Sequence, residues 1–215
     1  MPDAPPAPPP PAPAAAPEPL SVALGRRFFK VRGWVYLPVA AAALALRWNE
    51  WNRPEVNWPA GGALVLAGVW LRFASIRRIG GAARTHKHKA KRLVDTGPYA
   101  WVRNPLYIAN TAAFLGFVLL CALPWLALAS AIFLGAWYHA IARYEETVVA
   151  GAFGAEFEAY RARTPLWIPR PPRSTPVEDP EDLYPMGKLL KRERGALLNV
   201  AFMVALAACK QWWWR

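Results

Sequence analysis

Two short stretches hold the residues best suited to chemistry. In the first, Glu145 and Glu146 are adjacent carboxylates, with His139 and Arg143 shortly upstream. On a helix His139, Arg143 and Glu146 stand at i, i+4 and i+7 and share one face. Such carboxylates can accept hydrogen bonds from ribose hydroxyls or pair with an ammonium or sulfonium cation. The second stretch is GPYAWVRNPLY, residues 97–107. Gly97-Pro98 signals a turn, and Asn104-Pro105 reads as a helix start, with Asn104 as N-cap and Pro105 in the first helical position. That start exposes backbone N–H groups, and Arg103 adds a fixed cation, so an anion site is expected there. Tyr99, Trp101 and Tyr107 supply aromatic faces and hydroxyls. Each stretch also has a plainer reading. The first can be a solvated helix end whose glutamates pair with local arginines, the second an interfacial anchor at headgroup depth.

The elements between them favour a common location. From Asn104 to Ala142 there is no Asp, Glu, Lys or Arg. As helix this is roughly 58 Å, close to twice the bilayer core. Ala122-Leu123-Pro124 interrupts it near the middle, which predicts a helical hairpin turning at Pro124. Both polar stretches then lie at the feet of one hairpin, at similar depth.

The rest of the chain fits a membrane class. Of its 215 residues 55% are hydrophobic and twelve are tryptophan, an unusual combination for a soluble domain. Gly33–Leu46 and Val56–Leu71 are apolar and rich in Ala and Gly, though short for spans. Gly195–Cys209 is apolar and ends in KQWWWR, which suits a fifth span or an interfacial helix. The expected fold is all-α and polytopic, with about four core transmembrane helices, a hairpin carrying the site, and a possible C-terminal fifth membrane or interfacial helix. Residues 1–25 read as a Pro/Ala-rich disordered tail, 26–170 as the membrane domain, 171–194 as a polar linker, and 195–215 as the C-terminal helix.

The net charge is +12, and its distribution decides what it means. Arg26, Arg27, Lys30 and Arg32 precede the first apolar segment, and RRIGGAARTHKHKAKR, residues 77–92, has seven basic residues and no acid. The positive-inside rule puts the N-terminus, residues 77–103 and the segment after Ala142 in the cytosol, with a multi-pass chain in a bacterial inner membrane. The charge belongs to the membrane surface, not to a nucleic-acid partner. Cys121 and Cys209 lie in apolar runs without metal spacing. His86-Lys87-His88 lacks a completing ligand and reads as a basic loop, so no metal is expected. No dinucleotide fingerprint, P-loop lysine or HExxH is present.

Taken together the two stretches resemble a known family. LVDTGPYAWVRNPLYIAN, residues 93–110, is similar to the GPYRYVRHPMYLG-type signature of integral-membrane methyltransferases. EETVVAGAFGAEFEAYRARTPLWIP, residues 145–169, is similar to their downstream signature. These are the isoprenylcysteine carboxyl methyltransferases and phospholipid methyltransferases, and the resemblance covers about residues 60–170. It implies S-adenosylmethionine as cofactor, held by Gly97, Pro98, Tyr99, Arg103, Asn104, Pro105, Tyr107, Glu145 and Glu146. Phe153, Gly154, Tyr160 and Pro165 would pack or lid the site. His139, Arg143 and Glu146 form the expected catalytic set, with Arg161 or Arg163 helping to orient a lipophilic acceptor, an isoprenylcysteine-like carboxylate or a lipid amine. Asn104 stands where the family usually has histidine, and Leu166 where it has arginine. Two other classes stay open: a sterol-reductase-like enzyme using NADPH, and a non-catalytic membrane scaffold recruiting partners through its Pro-rich tail.

Overall fold

The computed structural model describes residues 19–80, 92–172 and 183–213, and all regular structure among them is helical. The helices are α1 (Leu20–Lys30), α2 (Tyr36–Ala45), α3 (Pro54–Ile79), α4 (Pro98–Trp101), α5 (Pro105–Leu120), α6 (Pro124–Phe153), α7 (Ala155–Arg163) and α8 (Met186–Trp213). Proline opens α3, α4, α5 and α6. At that position its missing N–H costs no helical hydrogen bond and its fixed φ suits the helix.

Helices α3, α6 and α8 are long and apolar enough to cross a membrane, and α2 and α5 are shorter apolar helices. The chain is therefore a polytopic all-α membrane protein. Two segments differ from their expected outlines. Gly33–Leu46 yields only ten helical residues in α2, about 15 Å, too short to span alone. The second segment runs on to Ile79 and takes in Arg72, Arg77 and Arg78. At the termini, α1 begins at Leu20, inside the stretch read as a tail, and α8 begins at Met186, inside the stretch read as a linker. The first eighteen residues and the histidines 86 and 88 lie outside the described residues.

The hairpin forms as its sequence dictates. Helix α5 ends with the Leu123 N–H on Val118 O (3.4 Å) and the Ala122 N–H on Leu119 O (2.9 Å). With Ala122 at φ +61° this is the left-handed ending that closes many helices, here without glycine. Pro124 then starts α6.

Small residues set how closely the helices approach. Helices α3 and α5 form the most extensive pair. A Cβ on Gly61 would sit 2.7 Å from Gly116 O, and one on Gly68 2.6 Å from Ala113 N. On the other flank α1 lies along α6, with Phe28 stacked on Trp137 at 3.9 Å. Gly25 there meets the backbone of Ala140.

Helix α8 is fastened near both ends. Near its start the fully buried Glu193 accepts from Arg72 Nε of α3 at 2.8 Å, and Arg72 Nη1 donates to Asn110 Oδ1 of α5 at 2.7 Å. Near its finish Lys210 Nζ donates to Ala43 O (2.9 Å), Leu46 O (2.8 Å) and Cys121 O (3.1 Å), with Glu50 Oε1 at 3.0 Å. Those carbonyls belong to the ends of α2 and α5, where helical acceptors are left over and a cation suits the dipole. A charge in apolar surroundings persists only when paired and hydrogen-bonded, and each of these is.

The close α3–α5 approach makes a direct prediction. Gly61→Leu should cost about 1–3 kcal/mol by overpacking, read as an earlier thermal transition in tryptophan fluorescence of the detergent-solubilised protein. Gly62→Ala, beside open space in the same turn, should leave the transition unchanged or raise it.

Candidate functional site

The feet of the hairpin carry the expected residues, and side-chain direction decides which of them meet. Counted from the turn, Tyr107 and Tyr138 stand at nearly equal depth, and their rings stack at 4.3 Å. Glu145 lies two turns nearer the foot. Side chains lean toward the N-terminus of their own helix. In antiparallel α5 and α6 Tyr107 therefore leans to the foot and Glu145 toward the turn. Tyr107 Oη donates to Glu145 Oε2 at 2.9 Å.

One position further, Glu146 takes two cations. Arg103 Nη1 lies 2.8 Å from its Oε1, and Arg143 Nη1 donates to its Oε2 at 2.9 Å. The Arg103 and Glu146 side chains are each 11% exposed. The Arg103 Nε is buried and has no hydrogen-bond acceptor among the described residues. Burial lowers the pKa of this guanidinium, and the Glu146 carboxylate opposes that shift. Paired charges this buried are strongly interdependent.

The first stretch is stitched to the segment after α6. Gly97 has φ +56°, and Arg78 fills the place a Cβ would take, so glycine is required. It caps α4, opened by Pro98. Tyr160 Oη of α7 donates to Tyr99 O at 2.8 Å, and burial pushes the pKa of both phenols up, keeping them protonated. The Arg103 N–H donates to Pro165 O (2.9 Å) and the Arg170 N–H to Trp101 O (3.0 Å). Arg163 pairs with Asp95, and Arg161 with Glu158 at 3.4 Å. Residues 164–170 form a strap across the loop that delivers Arg103.

Two expected residues behave differently. Asn104 occupies the N-cap position ahead of Pro105 but makes no side-chain cap hydrogen bond. Its backbone carbonyl accepts from Tyr107 N at 3.2 Å and Ile108 N at 3.4 Å. The proline removes one N–H and restricts the preceding residue, so the Asn104 amide is left available. His139 shares a helix with Arg143 and Glu146 but is exposed, and its Nδ1 accepts from Trp167 Nε1 of the strap at 3.2 Å. It belongs to the strap contact, not to the Arg103–Glu146 cluster.

Several residues reach the site without being singled out beforehand. Tyr138 stacks on Tyr107 and pairs by its hydroxyl with Tyr36 of α2. Arg32 lies within electrostatic reach of Tyr107, Tyr138 and Glu145. Nothing local in the sequence marks Tyr36, whereas Tyr138, next to His139 on α6, could have been found from helical phase. Among the described residues no group of three or more His, Cys, Asp or Glu could hold a metal ion.

Paired glutamates, an arginine across from them and stacked tyrosines thus stand together at the foot of one apolar hairpin. Residues 56–156 match the phospholipid methyltransferase family model. The chain belongs to that family, within the isoprenylcysteine and phospholipid methyltransferase superfamily. Among curated relatives, the nickel-cobalt-cadmium resistance protein NccN of Alcaligenes xylosoxydans xylosoxydans is 30% identical over 157 residues, 73% of this chain and 71% of that protein. The cobalt-zinc-cadmium resistance protein CzcN of Cupriavidus metallidurans is 32% identical over 158 residues, 72% and 71% of the two chains. No solved structure matches.

The Arg103–Glu146 pair gives a stability prediction. Glu146→Gln should cost about 3 kcal/mol or more by leaving Arg103 buried without its carboxylate. The double variant Arg103→Met/Glu146→Met should recover a large part of that loss. Chemical denaturation in detergent micelles measures both; equal losses for single and double variants would contradict the pairing.

Proposed function

We propose that the protein transfers a methyl group from S-adenosylmethionine to a lipophilic acceptor at the cytosolic face of the membrane. The observation that carries this reading is the meeting of Glu145 and Glu146 with Tyr107 and Arg103 at the foot of an apolar hairpin. The donor set suits the cofactor. The buried Arg103 Nε, a guanidinium donor without an acceptor among the described residues, matches a carboxylate. The two glutamates match ribose hydroxyls and a cationic ammonium or sulfonium. When bound, the cofactor would supply an electrophilic methyl on sulfur.

The chain's own residues would contribute positioning. Arg103 is fixed by Glu146 and by its backbone bond to Pro165, so an anion it holds is oriented. The strap, bonded to the loop at Arg103 and Trp101, would help to keep water from Arg103, and the tyrosine wall would offer an apolar approach from the bilayer. Placing the reactants in line in a dry site can supply much of the rate. Asn104, where the family usually has histidine, presents an amide that hydrogen-bonds without titrating. Proton removal from an acceptor would therefore fall to another group, or be unnecessary for a carboxylate.

The cytosolic placement rests on the basic residues of 26–32 and 77–92. The two relatives are named for resistance to nickel, cobalt and cadmium and to cobalt, zinc and cadmium. We carry that setting over: the acceptor would be an envelope lipid or lipidated protein of cells exposed to such metals.

The test is binding first, then turnover. The solubilised protein should bind S-adenosylhomocysteine in calorimetry and be thermally stabilised by it, with no comparable stabilisation by NADPH. Glu145→Gln and Arg103→Lys should each weaken binding about tenfold or more, as expected for a lost charge-assisted hydrogen bond. Absence of measurable affinity in the wild-type protein would refute the methyl-transfer reading. Stabilisation by NADPH instead would point to the reductase. Radiolabelled methyl transfer into lipid extract, resolved by mass spectrometry, would then identify the acceptor.

A further inference from the structure

Two buried donors in the seam between α1 and α6 have no partner. Arg32 Nη1 and Trp137 Nε1 are both inaccessible and have no hydrogen-bond acceptor among the described residues. Neither group can do anything but donate. Leaving such groups unsatisfied in a desolvated place is costly, and native structures rarely do so without a water, ion or ligand to take the bond.

Both donors are held in place. The Arg32 guanidinium lies over the Phe29 ring at 3.9 Å. Trp137 is clamped by Phe28 at 3.9 Å and flanked by Phe133 at 5.8 Å. Gly25 brings α1 against the α6 backbone, so the seam cannot easily close further around the donors. The seam also adjoins the candidate site. Arg32 acts electrostatically on Glu145, Tyr107 and Tyr138, and Trp137 precedes Tyr138 in α6.

Arg32 does more than balance the nearby carboxylate. A guanidinium recruited only for Glu145 would be expected to bond to it, yet the hydrogen bond to Glu145 comes from Tyr107. Nor is Nη1 turned outward to lipid phosphates, as in an ordinary interfacial arginine; it is buried. Arg32 and Trp137 thus present a cationic and a neutral donor with the bond still to be made, which suits an acidic oxygen.

We propose that Arg32 and Trp137 form an anion-binding subsite that takes a carboxylate or similar acidic group of a ligand bound beside Tyr107 and Glu145. The subsite rests on the methyl-transfer reading for its role, though not for its occupancy. The acidic group can come from the head of the lipophilic acceptor or, where Arg32 rather than Arg103 takes it, from the amino-acid part of the cofactor. Arg32, in the turn after α1, lies outside the residues 56–156 that match the family model, so this N-terminal segment would make the recognition specific to chains carrying it.

The experiment uses the full-length protein in a neutral detergent and two matched pairs of probes. S-adenosylhomocysteine is compared with 5′-methylthioadenosine, which lacks the carboxylate. Oleate is compared with oleyl alcohol, which shares its tail. Arg32→Gln and Trp137→Phe should each lower affinity for one acidic probe, about tenfold for Arg32→Gln, and leave its uncharged counterpart unchanged. Loss confined to S-adenosylhomocysteine assigns the anion to the cofactor, and loss confined to oleate assigns it to the acceptor. Arg32→Lys should retain part of the affinity, since it keeps the charge.

The proposal is overturned if neither acidic probe weakens, or if each weakens equally with its counterpart, the sign of a structural defect. Wild-type protein that holds oleate but not S-adenosylhomocysteine would sink the methyl-transfer reading while leaving the subsite to stand or fall on the oleate pair. Wild-type protein that binds neither acidic probe would sink both.

Discussion

A carboxylate removed from water must be met by a cation or by several donors, and at the foot of this hairpin two such carboxylates stand side by side. Glu146 is met by Arg103 from the opposite arm and by Arg143 from its own helix. Glu145 is met by Tyr107. Most of the architecture can be read as what delivers those partners. Arg103 reaches Glu146 because the loop before α5 is fixed by Tyr160, Pro165 and Arg170. That loop turns sharply at Gly97, where only a glycine leaves room for Arg78. Removing Glu146 leaves Arg103 stranded, so loop, hairpin and strap depend on one another through this pair.

The bilayer adds a second requirement at the other end of the molecule. The last carbonyls of α2 and α5 have no helical donors, and neighbouring apolar segments offer none. Lys210 satisfies three carbonyls, and Gln211 Nε2 donates to Leu120 O at 2.9 Å. The C-terminal helix therefore closes the end remote from the site. Near the site its Glu193 fixes Arg72, which in turn binds Asn110 at the end of the first signature stretch. Both fastenings involve α8, which lies wholly outside the region matching the family model. The hairpin is thus held by a helix outside the matched region.

Much of this was legible in the sequence wherever one local rule dominated. Prolines marked the starts of α5 and α6, and thirty-nine positions without Asp, Glu, Lys or Arg marked the hairpin. The glutamate pair and Arg103 were visible as charges beside apolar segments. What was not legible depended on distant packing. Asn104 looked like a side-chain cap, yet the following proline and the carbonyl of Asn104 itself already settle the helix start. Gly33–Leu46 looked like a span, but its helix starts only at Tyr36, and its last carbonyls are capped by Lys210 from far along the chain. Arg32 read only as a topological charge, because burial of one guanidinium nitrogen is invisible until α1 is placed on α6.

The positions of the charges also say which end of the molecule can change and which cannot. At the end remote from the site Lys210 is committed to three carbonyls and to Glu50. At the hairpin foot the balance is left open. Arg103 Nε, Arg32 Nη1 and Trp137 Nε1 are buried donors still without acceptors among the described residues. A membrane protein can hold donors in that state only if the surrounding packing is rigid enough to prevent their collapse onto the nearest carbonyl. The close α3–α5 contact, the Phe28–Trp137 stack and the two fastenings of α8 supply that rigidity. The fold keeps a polar foot incomplete on an apolar frame that cannot close over it, and completing it takes an acidic, hydrogen-bonding molecule from outside.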